Sequence, residues 1–233
     1  MRLDKFLCDC YFGTRSQIKK DIKNGQVLVN GNVALRPEQK INEKEDKIYY
    51  KGQLCIYEKY VYYILNKPAD VVSATEDKHD RTVLDLLGDD RRDDLFPVGR
   101  LDKDAEGLML ITNDGALAHE LLSPVKHVEK EYECHLAYAL NEEQKVLLEQ
   151  GVDIGEKTPT KPAVVHILED KKITLTITEG KFHQVKRMLH AVGNEVVYLK
   201  RLRMGNLRLE AELPKGSYRR LTEEEREQLG GFK

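Results

Sequence analysis

The stretch 96–112 constrains the fold of this chain more than any other. It places a compact charged loop, bracketed by two glycines, ahead of an apolar run of strand length, and a turn signal follows at 113–115. A loop held against a buried strand keeps its side chains in fixed positions, and such loops often carry chemistry. Asp102, with Arg100 and Lys103 beside it, is expected to stay ionised, which suits a nucleophile or a base. The same spacing also fits a structural ion pair.

Composition excludes several classes of protein. With 233 residues, of which 40% are hydrophobic and 33% charged, the chain is expected to form one or two globular domains. No apolar run reaches the roughly 18 residues of a spanning helix. The N-terminus also lacks the apolar region of a signal peptide, so we expect a cytoplasmic protein that does not bind membranes. The scattered cysteines predict no disulfide framework, and His183 and His190 have no third ligand nearby, so no metal site is expected.

The net charge of −2 conceals an uneven distribution of charge. Segments 1–35 and 183–220 are net basic, whereas acidic side chains concentrate at 89–94 and 223–225. Local basic patches, more than total charge, attract phosphate groups. The two basic segments are therefore candidate contacts for a nucleic acid.

The N-terminal segment predicts two short helices followed by a small sheet. The first helix is expected over 1–12, and the spacing of a capping box at 14–17 opens the second. On the second helix Lys19, Lys20 and Lys23 share one face. A lysine face is usually only a solvated surface, although three ammonium groups together also suit RNA phosphates.

The stretch 173–189 predicts a strand, a turn and a helix. Apolar residues alternate with threonines over 173–177, as in a half-buried strand. The helix that follows carries an apolar stripe at i, i+3, i+4 and i+7, and Lys186 lies off that stripe. Segments 60–65 and 130–136 also have the composition or alternation of strands.

Several separated motifs resemble those of pseudouridine synthases, and most closely those of the branch that modifies small-subunit ribosomal RNA. The matching segments are Asn66-Lys67-Pro68, Gly99-Arg100-Leu101-Asp102, Gly107-Leu108-Met109-Leu110, Thr112-Asn113-Asp114-Gly115, Lys130-x-Tyr132, Thr160-Lys161-Pro162-Ala163, Glu179-Gly180-Lys181-x-His183-Gln184-Val185-Lys186-Arg187-Met188 and Leu213-Pro214-x-Gly216-x-Tyr218-Arg219-x-Leu221-Thr222. Segment 1–57 resembles the S4 RNA-binding module. One position departs from the pattern: the family usually has a glycine two residues after the first motif's proline, where this chain has Asp70, and this leaves the shape of that turn open.

The resemblance implies an α+β architecture in two domains. A small S4-like RNA-binding domain over 1–57 would precede a pseudouridine synthase domain over 58–233, built on a mixed, mainly antiparallel sheet flanked by helices. The implied activity is isomerisation of a specific uridine of small-subunit (16S) rRNA to pseudouridine, without a cofactor. The implied catalytic residues are Asp102 as nucleophile, Lys186 as its charge partner, and Tyr132 as the side chain that packs on the base. On general grounds alone, Tyr132 would be an ordinary core aromatic.

The resemblance and the basic segments together indicate where RNA is bound. The candidate RNA-binding residues are Arg2, Lys5, Arg15, Lys19, Lys20, Lys23, Arg100 and Arg187. The expected partner is 16S rRNA or a small-subunit assembly intermediate, bound by a monomer. Two alternatives stay open: a synthase for large-subunit (23S) rRNA, and a non-catalytic assembly factor that binds RNA. The intact set of Asp102, Tyr132 and Lys186 argues against the second.

Overall fold

The computed structural model describes residues 1–230, which form two compact units. The first unit comprises Met1–Tyr60, and the second begins at Val61. Within the described residues, no helix has the length and apolar character that crossing a bilayer requires.

The first unit packs two helices against a small antiparallel sheet. Its elements are α1 (Leu3–Asp9), α2 (Arg15–Lys23), β1 (Val27–Val29), β2 (Asn32–Val33), β3 (Ile48–Tyr50) and β4 (Gln53–Leu54). The strand order is β2-β1-β3-β4, and apolar side chains of both helices meet those of β1 and β3 in one core. Helix α1 is shorter than the predicted 1–12, because Cys10 leaves the helical conformation and Tyr11 adopts a positive φ of 63°.

Helix α2 begins where the sequence predicts, but with only half of the expected cap. The side chain of Thr14 accepts a hydrogen bond from the backbone N–H of Gln17. The side chain of Gln17 donates instead to Oδ1 of Asp21, at 2.8 Å, so the predicted capping box is not formed. The Tyr50 hydroxyl donates to the same carboxylate at 2.5 Å. These bonds, led by the one from Tyr50, lower the pKa of Asp21 to about 2 and tie α2 to β3.

The second unit is built on one nine-stranded sheet. Its strands are β5 (Tyr62–Lys67), β6 (Phe96–Pro97), β7 (Glu106–Thr112), β8 (Lys130–Leu136), β9 (Val164–Glu169), β10 (Lys172–Ile177), β11 (Val196–Met204), β12 (Leu207–Arg208) and β13 (Tyr218–Arg220). Its helices are a 3₁₀ helix (Leu84–Asp90), α3 (Gly115–Leu122), α4 (Glu142–Gln150), α5 (Gln184–Ala191) and α6 (Glu223–Gly230). The strand order is β13-β5-β7-β11-β8-β10-β9, with β12 beside β11 and β6 beside β7. Only the β7–β11 pair is parallel, so the sheet is mixed and mainly antiparallel, as expected.

Strand β7 lies inside this sheet with apolar side chains on both of its faces. Every one of its residues is buried. Met109 and Ile111 belong to one apolar cluster, whereas Leu108 and Leu110 belong to another on the opposite face. A strand covered on both faces has a nearly continuous apolar sequence. This explains the apolar run that follows the charged loop.

Gly107 allows β7 and β11 to approach each other. Its φ is +104°, and a Cβ atom there would lie 2.3 Å from the backbone carbonyl oxygen of Arg201. That distance is shorter than any van der Waals contact, and the backbone angle itself favours glycine. The parallel pairing of β7 with β11 therefore requires glycine at this position.

The predicted strand and helix over 173–189 are confirmed, with one change at the start of the helix. The apolar stripe of α5, at Val185, Met188 and Leu189, is buried. The helix begins at Gln184, because His183 before it adopts a left-handed conformation with φ 48° and ψ 35°. That turn directs the chain from the end of β10 into α5.

Candidate active site

Asp102 lies on the loop between β6 and β7, and neighbouring segments fix the backbone of that loop. The Ser73 hydroxyl donates to the carbonyl of Leu101 at 2.8 Å, and the Leu101 N–H donates back to the hydroxyl oxygen at 3.0 Å. The N–H of Asp70 donates to the carbonyl of Lys103 at 2.9 Å. Asp70 itself has a φ of 62°, which is the left-handed region that glycine adopts freely. Asp70 therefore adopts the left-handed backbone conformation that a glycine would adopt at this position.

Lys67, at the end of β5, contacts the backbone of the same loop through its ammonium group. Its Nζ atom lies 2.7 to 3.1 Å from the backbone carbonyl oxygens of Pro68, Asp102, Lys103 and Ala105, which surround its three N–H donors. The side chain is fully buried, and burial lowers the pKa of Lys67 to about 8. A cation enclosed by carbonyl oxygens holds the loop in one conformation, and so fixes the position of the Asp102 backbone.

Lys186 of α5 contacts two carboxylates of this loop. Its Nζ atom lies 3.2 Å from Oδ2 of Asp102 and 2.6 Å from Oδ1 of Asp104. Burial alone would lower the pKa of Lys186, but the hydrogen bond to Asp104 and the charge of Asp102 raise it. The same hydrogen bond lowers the pKa of Asp104. On the other side of Asp102, Nε2 of His183 lies 3.4 Å from Oδ1.

These distances correct the expected origin of the charge beside Asp102. The sequence places Arg100 and Lys103 next to it, but the ammonium of Lys103 lies 2.7 Å from Oδ1 of Asp80. Arg100 takes part in none of the ion pairs found among residues 1–230. The cation on Asp102 therefore comes from α5, far along the chain, and not from the neighbouring residues.

Asp102 faces a cleft of about 650 Å³. Arg100, Tyr132 and Lys186 also line this cleft, so the structure brings together four of the five candidate residues of the second unit, all except Arg187. Tyr132 is only 7% exposed and lies in the middle of β8. Clefts of this size are typical of sites for small organic groups, and a single extruded nucleoside falls within that range.

Two buried cations, Lys130 and Arg201, also line the cleft. Arg201 is 2% exposed and lies directly opposite Tyr132 in the β11–β8 pairing. Lys130 is 8% exposed and lies two residues before Tyr132 on β8, on the same face of the strand. Burial, together with the positive charge of Arg201, lowers the pKa of Lys130 to about 8.

An exposed aromatic ring stands at the edge of the same cleft. The ring of Phe182 is 72% exposed and stacks on the imidazole of His183, with 3.8 Å between the ring centroids. An exposed phenylalanine beside a cationic cleft offers a flat apolar face to a base.

Comparison with known proteins gives the family of this fold. A family model for RNA pseudouridylate synthases matches residues 61–191, which is more than half of the chain, and an S4 domain model matches residues 1–48. The chain belongs to the RNA pseudouridine synthase family. The matched segment includes Asp102, Tyr132 and Lys186.

Full-length relatives agree with this assignment. The synthase is 48% identical to an uncharacterised RNA pseudouridine synthase of Bacillus subtilis, over 97% of this chain and 96% of the relative. It is 40% identical to the ribosomal small subunit pseudouridine synthase A of Haemophilus influenzae, over 98% of this chain and 99% of the relative. A crystal structure of a pseudouridylate synthase, 39% identical, covers 98% of this chain and 99% of its own, with a TM-score of 0.70.

In the first unit of the synthase, the candidate RNA-binding side chains fall into two groups. Lys19, Lys20 and Lys23 are exposed on α2 and take part in no ion pair found among residues 1–230. The second group has carboxylate partners: Arg2 and Arg15 contact Asp4, and Lys5 contacts Asp9. Among the candidate RNA-binding residues of this unit, only the three lysines of α2 therefore have no carboxylate partner within residues 1–230.

Arg187, which the sequence also suggested as an RNA contact, is engaged within the protein. Its guanidinium lies 2.8 Å from Oε1 of Glu156 and donates to the backbone carbonyls of Phe182 and Ile154. These contacts brace the start of α5 against the segment around 154–156. Lys186, and not Arg187, makes the ion pair with Asp102.

Sequence reasoning did not identify several side chains of the synthase site. Asp104 and His183 were not expected to contact Lys186 and Asp102, since both contacts join segments far apart in sequence. Among the sequence-based predictions, Arg201 appears only within the basic segment 183–220. A local signal for it exists, because it stands two residues after buried Leu199 on a strand, and alternation places both side chains on one face.

Proposed function

We propose that this synthase isomerises one uridine of small-subunit (16S) rRNA to pseudouridine. The observation that carries the proposal is the position of Asp102, held against Lys186 on a fixed loop and facing a cleft that Tyr132 also lines. The choice of 16S rRNA is supported by the small-subunit relatives, such as that of Haemophilus influenzae, which match nearly the whole chain.

The proposed roles follow from the chemistry that the isomerisation requires. The bond between ribose C1′ and uracil N1 must break, and a bond between C1′ and uracil C5 must form. An ionised Asp102 would act as the nucleophile or charge stabiliser at C1′. Lys186, whose ammonium lies 3.2 Å from that carboxylate, would hold it in place. Tyr132 would pack against the base, which must leave its stack to reach the cleft.

The proposed RNA contacts divide the work between the two units. The S4-like domain, 1–57, would hold phosphates through the lysine face of α2, because such contacts add affinity without reading bases. The catalytic domain, 58–233, would hold the target nucleotide, with Arg100 at the cleft as a further phosphate contact. We propose a monomeric, cytoplasmic enzyme whose partner is 16S rRNA or a small-subunit assembly intermediate.

The experiment that tests this function is a comparison of RNA substrates with the purified protein. Naked 16S rRNA, small-subunit assembly particles and 23S rRNA are incubated with the protein, and pseudouridine is mapped at nucleotide resolution. We expect one new site, in 16S rRNA or in the particle. Modification of 23S rRNA alone would show that 23S rRNA, and not 16S rRNA, is the substrate. Binding without modification would support the non-catalytic alternative. Mapping rRNA from cells with and without the protein provides the matching control.

A further inference from the structure

We propose that Lys130 and Arg201 form the site that stabilises the uracil ring as an anion while it is detached from the ribose. This inference rests on the proposed function, since it concerns the base that Asp102 separates from the sugar. It assigns a catalytic role to two buried cations on the side of the cleft formed by β8 and β11.

The geometry of the sheet places both cations beside the expected position of the base. Arg201 and Tyr132 are directly paired across β11 and β8, so their side chains project to the same face. Lys130 stands two residues before Tyr132 on β8 and therefore also projects to that face. If Tyr132 packs on the uracil ring, these two cations lie at its edge.

Neither cation has a carboxylate partner among residues 1–230. The ammonium of Lys130 has one hydrogen bond, to the carbonyl of Val128 at 3.2 Å. The guanidinium of Arg201 donates to the carbonyl of Leu108 at 2.7 Å and contacts the sulfur of Met109 at 3.8 Å. Each group therefore keeps hydrogen-bond donors that the protein leaves available to a ligand in the cleft.

Lys67 provides an internal comparison within the same unit. It is buried like Lys130, but its ammonium is surrounded by four backbone carbonyls. That arrangement is what a structural buried lysine requires, because an unpaired buried charge is costly. Lys130 lacks it, and the neighbouring Arg201 adds repulsion instead of compensation. An electronegative group that enters the cleft would supply the missing partner.

The isomerisation produces such a group at one defined step. When the C1′–N1 bond breaks, its electron pair stays on N1, and the negative charge spreads over N1, O2 and O4 of the ring. The ribose carbon is meanwhile bonded to, or neutralised by, the carboxylate of Asp102. After the ring turns, C5 attacks C1′, the electron pair shared with Asp102 returns to the carboxylate, and the C5 proton is lost while N1 gains one. Preorganised cations at the ring edge would lower the energy of the anion.

Lys130→Met is the variant that tests this role. Methionine has a similar length but no charge, so replacement of an uncompensated buried ammonium should maintain or raise the melting temperature. We expect kcat to fall by roughly 10²-fold, with little change in KM for RNA. The matched control is Lys172→Met, which removes a lysine from the opposite face of the same sheet, where it contacts Glu133. A Lys130→Met protein with the kcat of the parent would overturn the proposal, whatever its stability.

A second arm changes the leaving group from uracil to 5-fluorouracil. This change separates a loss of anion stabilisation from general damage to the active site. RNA that carries 5-fluorouridine at the target position gives a uracil anion that the fluorine itself stabilises. Single-turnover loss of the N-glycosidic nucleoside is measured for parent and variant on both RNAs. We expect the defect of Lys130→Met, and of Arg201→Lys, to be several-fold smaller with the fluorinated RNA. Equal defects on both RNAs would contradict the role.

The substrate in both arms is whichever RNA the parent protein modifies. An incorrect assignment to 16S rRNA would therefore leave this comparison intact. If the parent modifies no RNA, the proposed function fails, and with it the reaction that this site would serve.

Discussion

The ammonium of Lys186 bridges Asp102 and Asp104, and it lies closer to Asp104 than to the residue placed for catalysis. The distances are 2.6 Å to Asp104 and 3.2 Å to Asp102. Asp104 is largely exposed, whereas Asp102 is mostly covered. One cation thus joins helix α5 to the loop ahead of β7, and both carboxylates share its charge.

The first prediction concerns the catalytic carboxylate. Asp102→Asn has nearly the same shape as the parent, but its amide cannot act as an anionic nucleophile. We expect the folded structure and RNA affinity to be retained, and pseudouridine formation to fall to background. Tritium release from labelled RNA, with binding measured on the same preparation, checks this. Appreciable turnover by a preparation free of contaminating synthase would remove Asp102 from the mechanism.

The second prediction concerns the partner of Asp102. Lys186→Met should lower kcat by about 10² to 10³-fold, because the carboxylate loses its contacting ammonium. Lys186→Arg should retain part of the activity, since the charge remains while the geometry of the contact changes. Arg187→Met is the matched control on the same helix, and its expected effect is on stability, through Glu156 and Ile154. Parent-like activity in both Lys186 variants would show that the contact is not needed.

The third prediction concerns the lysine face of α2. Lys19→Ala/Lys20→Ala/Lys23→Ala should weaken RNA binding and raise KM, with kcat and the modified nucleotide unchanged. Each lost phosphate contact should reduce the slope of log affinity against log salt by roughly 0.7 to 0.9. Titrations of the RNA at several salt concentrations measure this.

The control for the lysine face is Lys44→Ala/Lys47→Ala, which removes exposed lysines of the same unit outside α2. Identical affinities and slopes for the parent and the triple variant would mean that the α2 lysines are only solvated surface. A loss of kcat with KM unchanged would instead mean that the first unit helps to assemble the active site.

The fourth prediction concerns the contact between β7 and β11. Gly107→Ala would place a Cβ atom 2.3 Å from the carbonyl oxygen of Arg201, on a residue with φ +104°. We expect a loss of about 2 to 5 kcal/mol in unfolding free energy. Gly115→Ala is the control, because Gly115 begins α3 with open space around it and alanine favours a helix. Urea denaturation of the two variants compares them, and equal midpoints would contradict the close approach.

The fifth prediction follows from the lowered pKa of Lys130, about 8 in the folded protein against 10.5 for an ordinary lysine. Between pH 8 and pH 10.5, Lys130 is more fully protonated in the unfolded chain than in the folded protein. The destabilising effect of this lysine therefore disappears as the pH rises through this range. Lys130→Met should therefore be more stable than the parent at pH 7, and its advantage should shrink between pH 8 and pH 10.5. Other groups that titrate in this range are common to both proteins. A stability difference independent of pH would show that Lys130 has an ordinary pKa.

Local sequence patterns predicted the elements of the site well, but not the contacts between them. Strand β7, strand β8 and the apolar stripe of α5 each follow from periodicity or composition. The pairing of Lys186 with Asp102 came from the family motifs, because no local pattern links two such distant segments. The contact of Lys103 with Asp80, instead of Asp102, depends on a loop conformation that side-chain spacing does not determine.

The buried cations were missed for a related reason. Lysine and arginine on a strand are normally solvated, so the alternation that places Lys130 and Arg201 on the buried faces of β8 and β11 is not by itself enough to predict buried cations. The same holds for Lys67, because three of its four carbonyl partners belong to a loop 35 to 38 residues later in the chain. Contacts with backbone carbonyls cannot be predicted from the spacing of side-chain types in a sequence.

The position of β11 between β7 and β8 has a consequence during protein synthesis. Asp102 belongs to the β5–β7 half of the sheet and Tyr132 to the β8–β10 half, yet the strand that hydrogen-bonds to both halves is made after all of these segments. A nascent chain that ends near Gly193 already contains Asp102, Tyr132 and Lys186, but it lacks the strand that joins the two halves. Pairings between segments so far apart in sequence form slowly. We expect the cleft to appear only after the ribosome has released β11, so a stalled chain would carry the catalytic side chains without a site.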